Sequence, residues 1–425
     1  MPSSPRGASY FLRLIAPFAL CMVLALPGIL VALDQLHLSA VWAAVATGGA
    51  IVAAAFMLGW VGEAAELDLA GGLAVGLLAV VTILPEYVVS VYFAFAAGTD
   101  PTMVQYASAN VTGANRLLLG FGWPVMALVG YWALRGRASR LAKRNGSQTG
   151  KAAKADTSFG IDLDSEARTD LGFLIMASAI CLLIPITQNL HLLVGILLIL
   201  IFFFYLWRQS HAEREEPELE GTAALVGALP AWTRRGFILL MFLVAAAIIL
   251  AAAEPFAHNL IGAGKDLGVD QYLLVQWVAP FASEAPEFTL AVLFAFKGKP
   301  NMGLAVLISS KVNQWTALAG SLPIAYVLGG GSPAIPMDGR QSEEFMLTAA
   351  QTLMGVALLL SLRLGIRASL ALFGLFLAAF LIPNEDIRMD IAWLYFAVAA
   401  FFFIRRRRFI KETVTAPFKL PRNLI

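Results

Sequence analysis

Twelve apolar stretches run along the chain, and each is long enough, or nearly long enough, to cross a lipid bilayer. A spanning helix needs about 20 residues, with roughly 17 as a practical lower limit. The stretches are continuous and not alternating, which favours helices over a β-barrel. The sequence therefore predicts an all-α polytopic membrane protein with about 12 transmembrane helices, whose approximate limits are residues 11–31, 41–60, 71–97, 104–134, 170–186, 190–207, 236–253, 271–296, 303–328, 345–362, 367–382 and 391–404.

Composition excludes a water-soluble globule. Hydrophobic residues make up 59% of the 425 residues and charged residues only 14%, and mean hydropathy is +0.76. Too few polar side chains remain to cover a soluble surface of this size. The net charge of +2 gives no reason to expect nucleic acid as a partner. Two cysteines, Cys21 and Cys181, lie in apolar stretches and offer neither a disulfide framework nor metal-ligand spacing.

The distribution of basic residues predicts the orientation of the spans. Lys and Arg concentrate in cytoplasmic loops. With twelve spans and a cytoplasmic N-terminus, 25 of the 30 Lys and Arg residues fall in inside segments. Three fall in outside loops (Lys265, Arg340 and Arg388), and two fall within spans (Arg116 and Lys311). This bias predicts a multi-pass protein of the cell membrane with both termini in the cytoplasm.

The chain divides into five predicted segments. The first span could instead be a cleaved signal peptide, because two arginines precede its apolar run. The basic stretch 135–170 and the acidic stretch 208–220 are interpreted as solvated linkers, with regulation or lipid binding as the alternative. The segments are an N-terminal extra span (1–34), a first half (35–207), a cytoplasmic linker (208–235), a second half (236–385), and an extra span with a basic cytoplasmic tail (386–425).

Two similar segments, 82–95 and 283–296, follow one another at a spacing of 201 residues. Both contain a Pro-Glu pair and end in Phe-Ala-Phe. They lie in the third and the eighth predicted spans, so they cross the bilayer in opposite directions. An inverted repeat of this kind is typical of secondary transporters, whose substrate site lies near the bilayer midplane. We therefore predict two inverted five-helix repeats, centred on 70–134 and 271–328, plus one extra helix at each end.

The matched positions carry oxygen ligands. Thr82 and Glu86 are four residues apart and share one helix face, as do Ser283 and Glu287. The neighbouring prolines free backbone carbonyls. Hard cations prefer such ligands, and an ionised Glu at mid-bilayer costs at least about 2.5–3.5 kcal/mol. Two such residues at equivalent positions predict cation binding by Glu86 and Glu287; the alternative is that each is protonated or paired for structural reasons.

A polar cluster follows on the next helix of each half. The first cluster runs from Ser108 to Arg116, and the second runs from Ser309 to Thr316. Small and amide residues also pack membrane helices closely, so helix packing is the alternative to ion contact.

At these residues the chain resembles a divergent bacterial-type member of the sodium/calcium exchanger membrane-region family, within the cation/calcium exchanger superfamily. That family has two repeats, each with a Ser/Thr-x-x-Pro-Glu/Asp motif and then a Gly-Ser-Asn-x-x-Asn motif on the following helix. Both copies of the first motif match. In the second motif, Ser310 and Gln314 stand where the family has its liganding Ser and Asn. In the first half the register leaves Asn110 and Asn115 both as candidates.

Three further charges are predicted to tune the site. Lys311 and Arg116 stand where the family usually has neutral residues, and Glu284 lies beside the second Pro-Glu pair. A fixed ammonium near Glu284 or Glu287 could replace a bound Na⁺, which argues against strict Na⁺/Ca²⁺ exchange and makes H⁺ a plausible ion. The alternative for Lys311 is snorkelling or a structural ion pair. Three acidic residues before the third span either line an inner vestibule or are solvated: Glu63, Glu66 and Asp68.

The resemblance implies a secondary active antiporter that exchanges Na⁺ or H⁺ for Ca²⁺ or another cation, with no cofactor. Its partners are inorganic cations and the lipid bilayer, not nucleic acid. It also implies that the second and seventh spans slide over a rigid core to give alternating access. The alternatives are a non-transporting membrane scaffold and an intramembrane hydrolase, although the sequence has no hydrolase motif such as His-Glu-x-x-His.

Overall fold

The computed structural model describes residues 8–68, 84–144, 160–211, 219–382 and 384–419. Most of these residues are helical. The helices are α1 (Ala8–Ala32), α2 (Ala40–Ala65), α3 (Leu84–Ala97), α4 (Val104–Leu117), α5 (Trp123–Arg144), α6 (Ala167–Cys181), α7 (Leu183–Thr187), α8 (Leu192–Ser210), α9 (Gly221–Gly227), α10 (Ala231–Leu267), α11 (Gln271–Ser283), α12 (Ala285–Phe296), α13 (Pro300–Asn313), α14 (Ala319–Leu328), α15 (Gly339–Leu359), α16 (Ile366–Leu381), α17 (Glu385–Arg405) and α18 (Ile410–Thr415).

Six described segments are long and apolar enough to cross a membrane, namely α1, α2, α6 with α7, α8, α10 and α17. The bent pair α11 and α12 adds a seventh. Helices α4, α13 and α15 carry many buried polar residues, which lowers their hydropathy. An all-helical membrane protein is therefore present, while the number of twelve spans stays a prediction.

Several helices are longer than their apolar stretches. The seventh stretch predicts an end at 253, but α10 continues to Leu267 and carries Glu254 and His258 within the helix. Helix α15 begins at Gly339, capped by the side chain of Asp338, which accepts a hydrogen bond from the Gln341 amide at 2.8 Å. Hydropathy misses these ends because polar residues can extend a helix wherever the protein itself surrounds them.

A π-helical turn interrupts the same helix position in each half of the chain. Residues Leu118–Gly122 join α4 to α5, and Gln314–Leu318 join α13 to α14. Each turn directly follows a polar cluster identified in the sequence. A π turn widens the helix by one residue and is frequent at functional sites.

Two short antiparallel strand pairs connect the two halves. Strand β1 (Gly160–Asp162) pairs with β4 (Arg363–Gly365), and β2 (Asn189–His191) pairs with β3 (Ala334–Pro336). Strand β3 begins 174 residues after β1, and β4 begins 174 residues after β2. The two pairs therefore exchange with one another under a single sequence shift.

The first helix packs closely on the rest of the molecule. The Phe18 ring makes edge contacts with Trp60 of α2 at 5.4 Å and with Phe237 of α10 at 5.0 Å between centroids. The Tyr10 hydroxyl donates a hydrogen bond to the Leu225 carbonyl at 2.5 Å. Helix α2 in turn packs along α10, where Gly48 leaves room for a phenylalanine ring. These three helices form one layer beside the remaining helices.

An ion pair joins α2 and α10 at one end. Asp68 follows α2, and its carboxylate accepts hydrogen bonds from Arg234 at 2.6 and 2.8 Å and from Arg235 at 2.9 Å. The hydrogen bond from Arg234 holds the pKa of Asp68 below its ordinary value. The predicted linker 208–235 thus contains α9 and the beginning of α10, and it contributes both arginines of this contact.

Candidate functional site

A broken helix places two acidic side chains inside the protein. Helix α11 ends at Ser283, α12 begins at Ala285, and the two helices meet at an angle of 54°. Pro286 has no amide hydrogen to donate to the carbonyl four residues earlier, which favours the break. Glu284 lies at the break, and Glu287 lies in the first turn of α12. The amino end of a helix favours negative charge, so this position suits carboxylates.

Glu86 of α3 completes an acidic triad with Glu284 and Glu287. Glu86 is 2% exposed and Glu284 is 4% exposed, while Glu287 is half-buried. The carboxyl group of Glu86 faces Glu284 and Gln314, with Glu287 within electrostatic range. Among the described residues, neither oxygen of Glu86 has a hydrogen-bond partner of normal geometry.

Gln314 is the neutral partner of the acidic triad. Its amide Nε2 donates a hydrogen bond to Glu284 Oε1 at 2.7 Å. Gln314 is the first residue of the second π turn, so the turn sets the direction in which the amide points. Among the described residues, no Lys or Arg forms a hydrogen bond or ion pair with the triad. Three buried carboxyl groups this close cannot all be ionised unless protons or cations join them.

The predicted hydroxyl ligands lie on both sides of this site. Ser283 is buried beside the helix break, and its Oγ donates to the carbonyls of Ala279 and Pro280 at 3.3 and 3.2 Å. Both lone pairs of Oγ therefore remain for a cation. Ser310 is half-buried on α13. Thr82 lies outside the described residues.

The two candidate asparagines of α4 have different neighbours. Asn110 donates a hydrogen bond from Nδ2 to Ser90 Oγ at 2.5 Å. Ser90 is one turn after Glu86 on α3, so Asn110 adjoins the helix that carries Glu86. Asn115 instead contacts Lys311: the Lys311 ammonium donates to the Asn115 carbonyl at 3.0 Å and to its Oδ1 at 3.3 Å. Lys311 is 1% exposed and also lies 5.6 Å from the centre of the Trp315 ring.

Arg116 belongs to a separate group of buried charges that the sequence did not reveal. We call this group the charge quartet; it consists of Arg116, Glu343, Glu344 and Arg388. The sequence places Arg388 in an outside loop, but it lies on α17 with 3% exposure. The only sequence signal was the adjacent pair of glutamates just before a predicted span, opposite an arginine within another.

Helix α2 provides acidic residues beside the triad. Pro286 approaches Gly59 of α2, where a Cβ atom would lie 3.8 Å from the Pro286 Cβ. One turn later, Glu63 lies within electrostatic range of Glu287, and Glu66 follows near Glu63. Of the two interpretations of these acidic residues, the position of Glu63 supports the vestibule.

The chemistry available to the site is cation or proton binding by oxygen ligands. Throughout the residues that the structure describes, no three His, Cys, Asp or Glu side chains converge in metal-binding geometry. A bound cation would therefore use amide, hydroxyl or backbone oxygens in addition to carboxylates. Such mixed oxygen shells suit Ca²⁺ and Na⁺.

Comparisons with known proteins place this arrangement among exchangers. The family described as sodium/calcium exchanger protein matches residues 38–210 and 237–383. The crystal structure of an H⁺/Ca²⁺ exchanger, CAX, shares 32% sequence identity over 97% of this chain and 98% of that chain, with a TM-score of 0.86. A search of curated protein sequences found no match.

Two more distant structures share the fold. The structure of YfkE, described as a Ca²⁺/H⁺ antiporter protein, is 16% identical, covers 88% of this chain and 99% of that one, and has a TM-score of 0.57. The sodium-calcium exchanger NCX_Mj is 14% identical, covers 88% and 99%, and has a TM-score of 0.50.

Proposed function

The chain belongs to the sodium/calcium exchanger protein family, and from this premise we propose that it is a secondary antiporter that exchanges Ca²⁺ for H⁺ at the acidic triad. The observation that carries the proposal is a buried group of three carboxyl groups whose only hydrogen-bond donor among the described side chains is an amide, that of Gln314. Such a group must take protons or cations from solution. Exchange between the two is then the chemistry that it performs.

Protons are favoured over Na⁺ as the counter-ion. Glu86 and Glu284 face one another, and close carboxyl groups share protons because both cannot be ionised in an apolar environment. Binding of Ca²⁺ would release these protons, and their return would release Ca²⁺. CAX, which is 32% identical to this chain, is described as an exchanger of the same pair of ions.

We assign the ligands from position and chemistry. Glu86 and Glu287 supply carboxylates, Glu284 supplies a third, and Ser283 and Gln314 supply neutral oxygens. Asn110 joins from α4 through its neighbourhood with Ser90. Ser310 and Thr82 stay predicted ligands, and Asn115 holds Lys311 at the edge of the site.

The proposed architecture is two inverted halves of five spans plus one extra span at each end, twelve in all, with the segment limits given by the sequence. The matched π turns and the exchangeable strand pairs support it. Helix α3 packs on α14 in one half, and α12 packs on α5 in the other. We propose that α2 and α10 slide together over this core, with both termini in the cytoplasm of a cell-membrane protein.

Flux in proteoliposomes tests the proposal. With purified protein, a proton gradient is expected to drive Ca²⁺ uptake, and Glu86→Gln and Glu287→Gln are each expected to reduce it more than tenfold. Glu254→Gln is the matched control, since Glu254 is exposed on α10. Unchanged flux in both triad variants would refute the site.

The driving ion decides between the proposal and its rivals. If a Na⁺ gradient drove uptake and a proton gradient did not, the protein would be a Na⁺/Ca²⁺ exchanger. If no gradient drove flux of any cation, the non-transporting scaffold would replace the antiporter. Because the carboxyl groups must lose protons before they bind Ca²⁺, uptake by the wild type should fall as the pH on the uptake side is lowered.

A further inference from the structure

We propose that Arg388, on the C-terminal helix α17, is a positioning residue for the acidic triad and acts on it through the charge quartet and Lys311. The inference rests on the proposed function, because its effect is measured as cation exchange. It assigns a role to a helix that the sequence places outside the two repeats.

The charge quartet is neutral only when Arg388 is present. Arg116 and Arg388 each donate a hydrogen bond to Glu344, one to each carboxylate oxygen. The Nε atom of Arg388 also lies 3.0 Å from Glu343 Oε1. The four side chains are 0–4% exposed. Two positive and two negative charges therefore balance in a region where an unbalanced charge is costly.

Removal of the Arg388 charge would leave Arg116 between two carboxylates. At present Arg116 bonds Glu344 alone, and its guanidinium lies 5.1 Å from the centre of the Trp277 ring. With a net negative charge nearby, Glu343 would compete for the same guanidinium. Arg116, and with it the carboxyl end of α4, would then no longer have a single position.

A short chain of contacts leads from that end of α4 to the triad. Asn115 precedes Arg116, and Lys311 donates to both its carbonyl and its side-chain oxygen. Lys311 and Gln314 lie three residues apart on adjacent turns, where α13 passes into the π turn. Gln314 in turn donates to Glu284. A shift of Arg116 would therefore alter the position of the amide that binds Glu284.

A polar cavity beside Arg388 makes the substitution structurally tolerable. The cavity has a volume of about 220 Å³ and is lined by Arg388, Gln276, Asp270 and Arg340 among others. Gln276 is completely buried, and among the described residues neither its amide nitrogen nor its oxygen has a partner. Buried polar atoms of this kind usually bind water. A glutamine at position 388 would find the same hydration.

The same helix offers a matched control. At its opposite end, Arg406 donates hydrogen bonds to the carbonyls of Leu358 and Ala357. Arg406 thus also attaches α17 to α15, but its described contacts do not include Arg116. Loss of attachment alone would affect both arginines, whereas positioning of the triad concerns only Arg388.

The test compares Ca²⁺ uptake by Arg388→Gln, Arg388→Lys, Arg406→Gln and the double variant Arg388→Gln/Glu343→Gln in proteoliposomes. Arg388→Gln is expected to raise the KM for Ca²⁺ about tenfold and to shift the pH profile. The double variant, which restores neutrality, should return to within threefold of the wild type. Arg388→Lys keeps the charge and should raise KM about threefold, and Arg406→Gln should leave KM unchanged.

Two results would overturn the inference. One is an equal effect of Arg388→Gln and Arg406→Gln on KM, which would mean that both arginines only attach α17. The other is a double variant no better than Arg388→Gln. If Arg388→Gln did not fold, as judged by its melting profile, the unchanged KM of Arg388→Lys would overturn it instead. A wild type without flux would reject the antiporter itself, whereas normal flux that is lost in Glu86→Gln but unaffected in Arg388→Gln would reject the positioning role alone.

Discussion

The acidic triad and the charge quartet are both groups of buried carboxyl groups, but they are neutralised differently. In the charge quartet, two arginines bind Glu344, and one of them also approaches Glu343. In the triad, the only donor among the described side chains is the Gln314 amide. An arginine stays charged under all ordinary conditions, so the quartet needs nothing from solution. The triad lacks such a partner within the described part of the chain and must exchange protons or cations with its surroundings.

A third buried acid shows an intermediate case. Asp170 of α6 and Glu344 of α15 are 174 residues apart, the same shift that relates the strand pairs. Asp170 accepts a hydrogen bond from Gln209 at 2.8 Å, and Gln209 also donates to the Tyr205 hydroxyl at 3.0 Å. The two equivalent positions therefore keep an acid but differ in its partners, neutral in the first half and cationic in the second. The partner, rather than the burial, decides whether a carboxyl group is structural.

The largest effect on stability is expected for Glu344→Gln. The change leaves Arg116 and Arg388 buried with one carboxylate between them, and breaking a buried ion pair typically costs about 3–5 kcal/mol. Thermal unfolding in detergent should show a strongly lowered melting temperature. Glu343→Gln is the control and should cost less, because the ion pair of Glu343 is with Arg388 alone among the described residues. Equal losses from the two variants would contradict the central place of Glu344.

The sequence predicted the fold class and the family, and the comparisons confirm both. Hydropathy found the helices because apolar runs must be buried in lipid or protein. It misplaced helix ends such as Leu267 because Glu254, His258 and Lys265 interrupt the apolar run without interrupting the helix. Propensity and burial within the protein decide such ends, and a hydropathy profile records neither.

The candidate site was predictable as far as local motifs reach. The Pro-Glu motif pointed to Glu86 and Glu287, and the structure brings them together with Glu284. The charge quartet was not predictable, because Arg116 and Glu344 are 228 residues apart and no motif links them. Contacts of this range depend on how the helices pack, which a single sequence does not specify.

A smaller effect, on transport rather than stability, is expected for Lys311→Ser. Lys311 brings a positive charge close to the triad but bonds Asn115 and not a carboxylate. Its loss should change the pH dependence or the ion preference of flux, since the triad would lose a nearby positive charge. Measurement of Ca²⁺ uptake against pH, with Lys311→Arg as the control that keeps the charge, checks this. Identical profiles in all three proteins would make Lys311 a structural residue.

The smallest effect is expected for Asp170→Asn. The amide keeps an oxygen that can accept the hydrogen bond from Gln209, so only the difference between a charged and a neutral acceptor is lost. A hydrogen bond of this kind contributes about 0.5–1.5 kcal/mol, and the melting temperature should fall by a correspondingly small amount. Asp170→Leu, which removes the acceptor and leaves Gln209 unsatisfied, should cost more. If Asp170→Asn destabilised the protein as much as Glu344→Gln, the partner would not be what distinguishes the two positions, and burial of the acid would explain both.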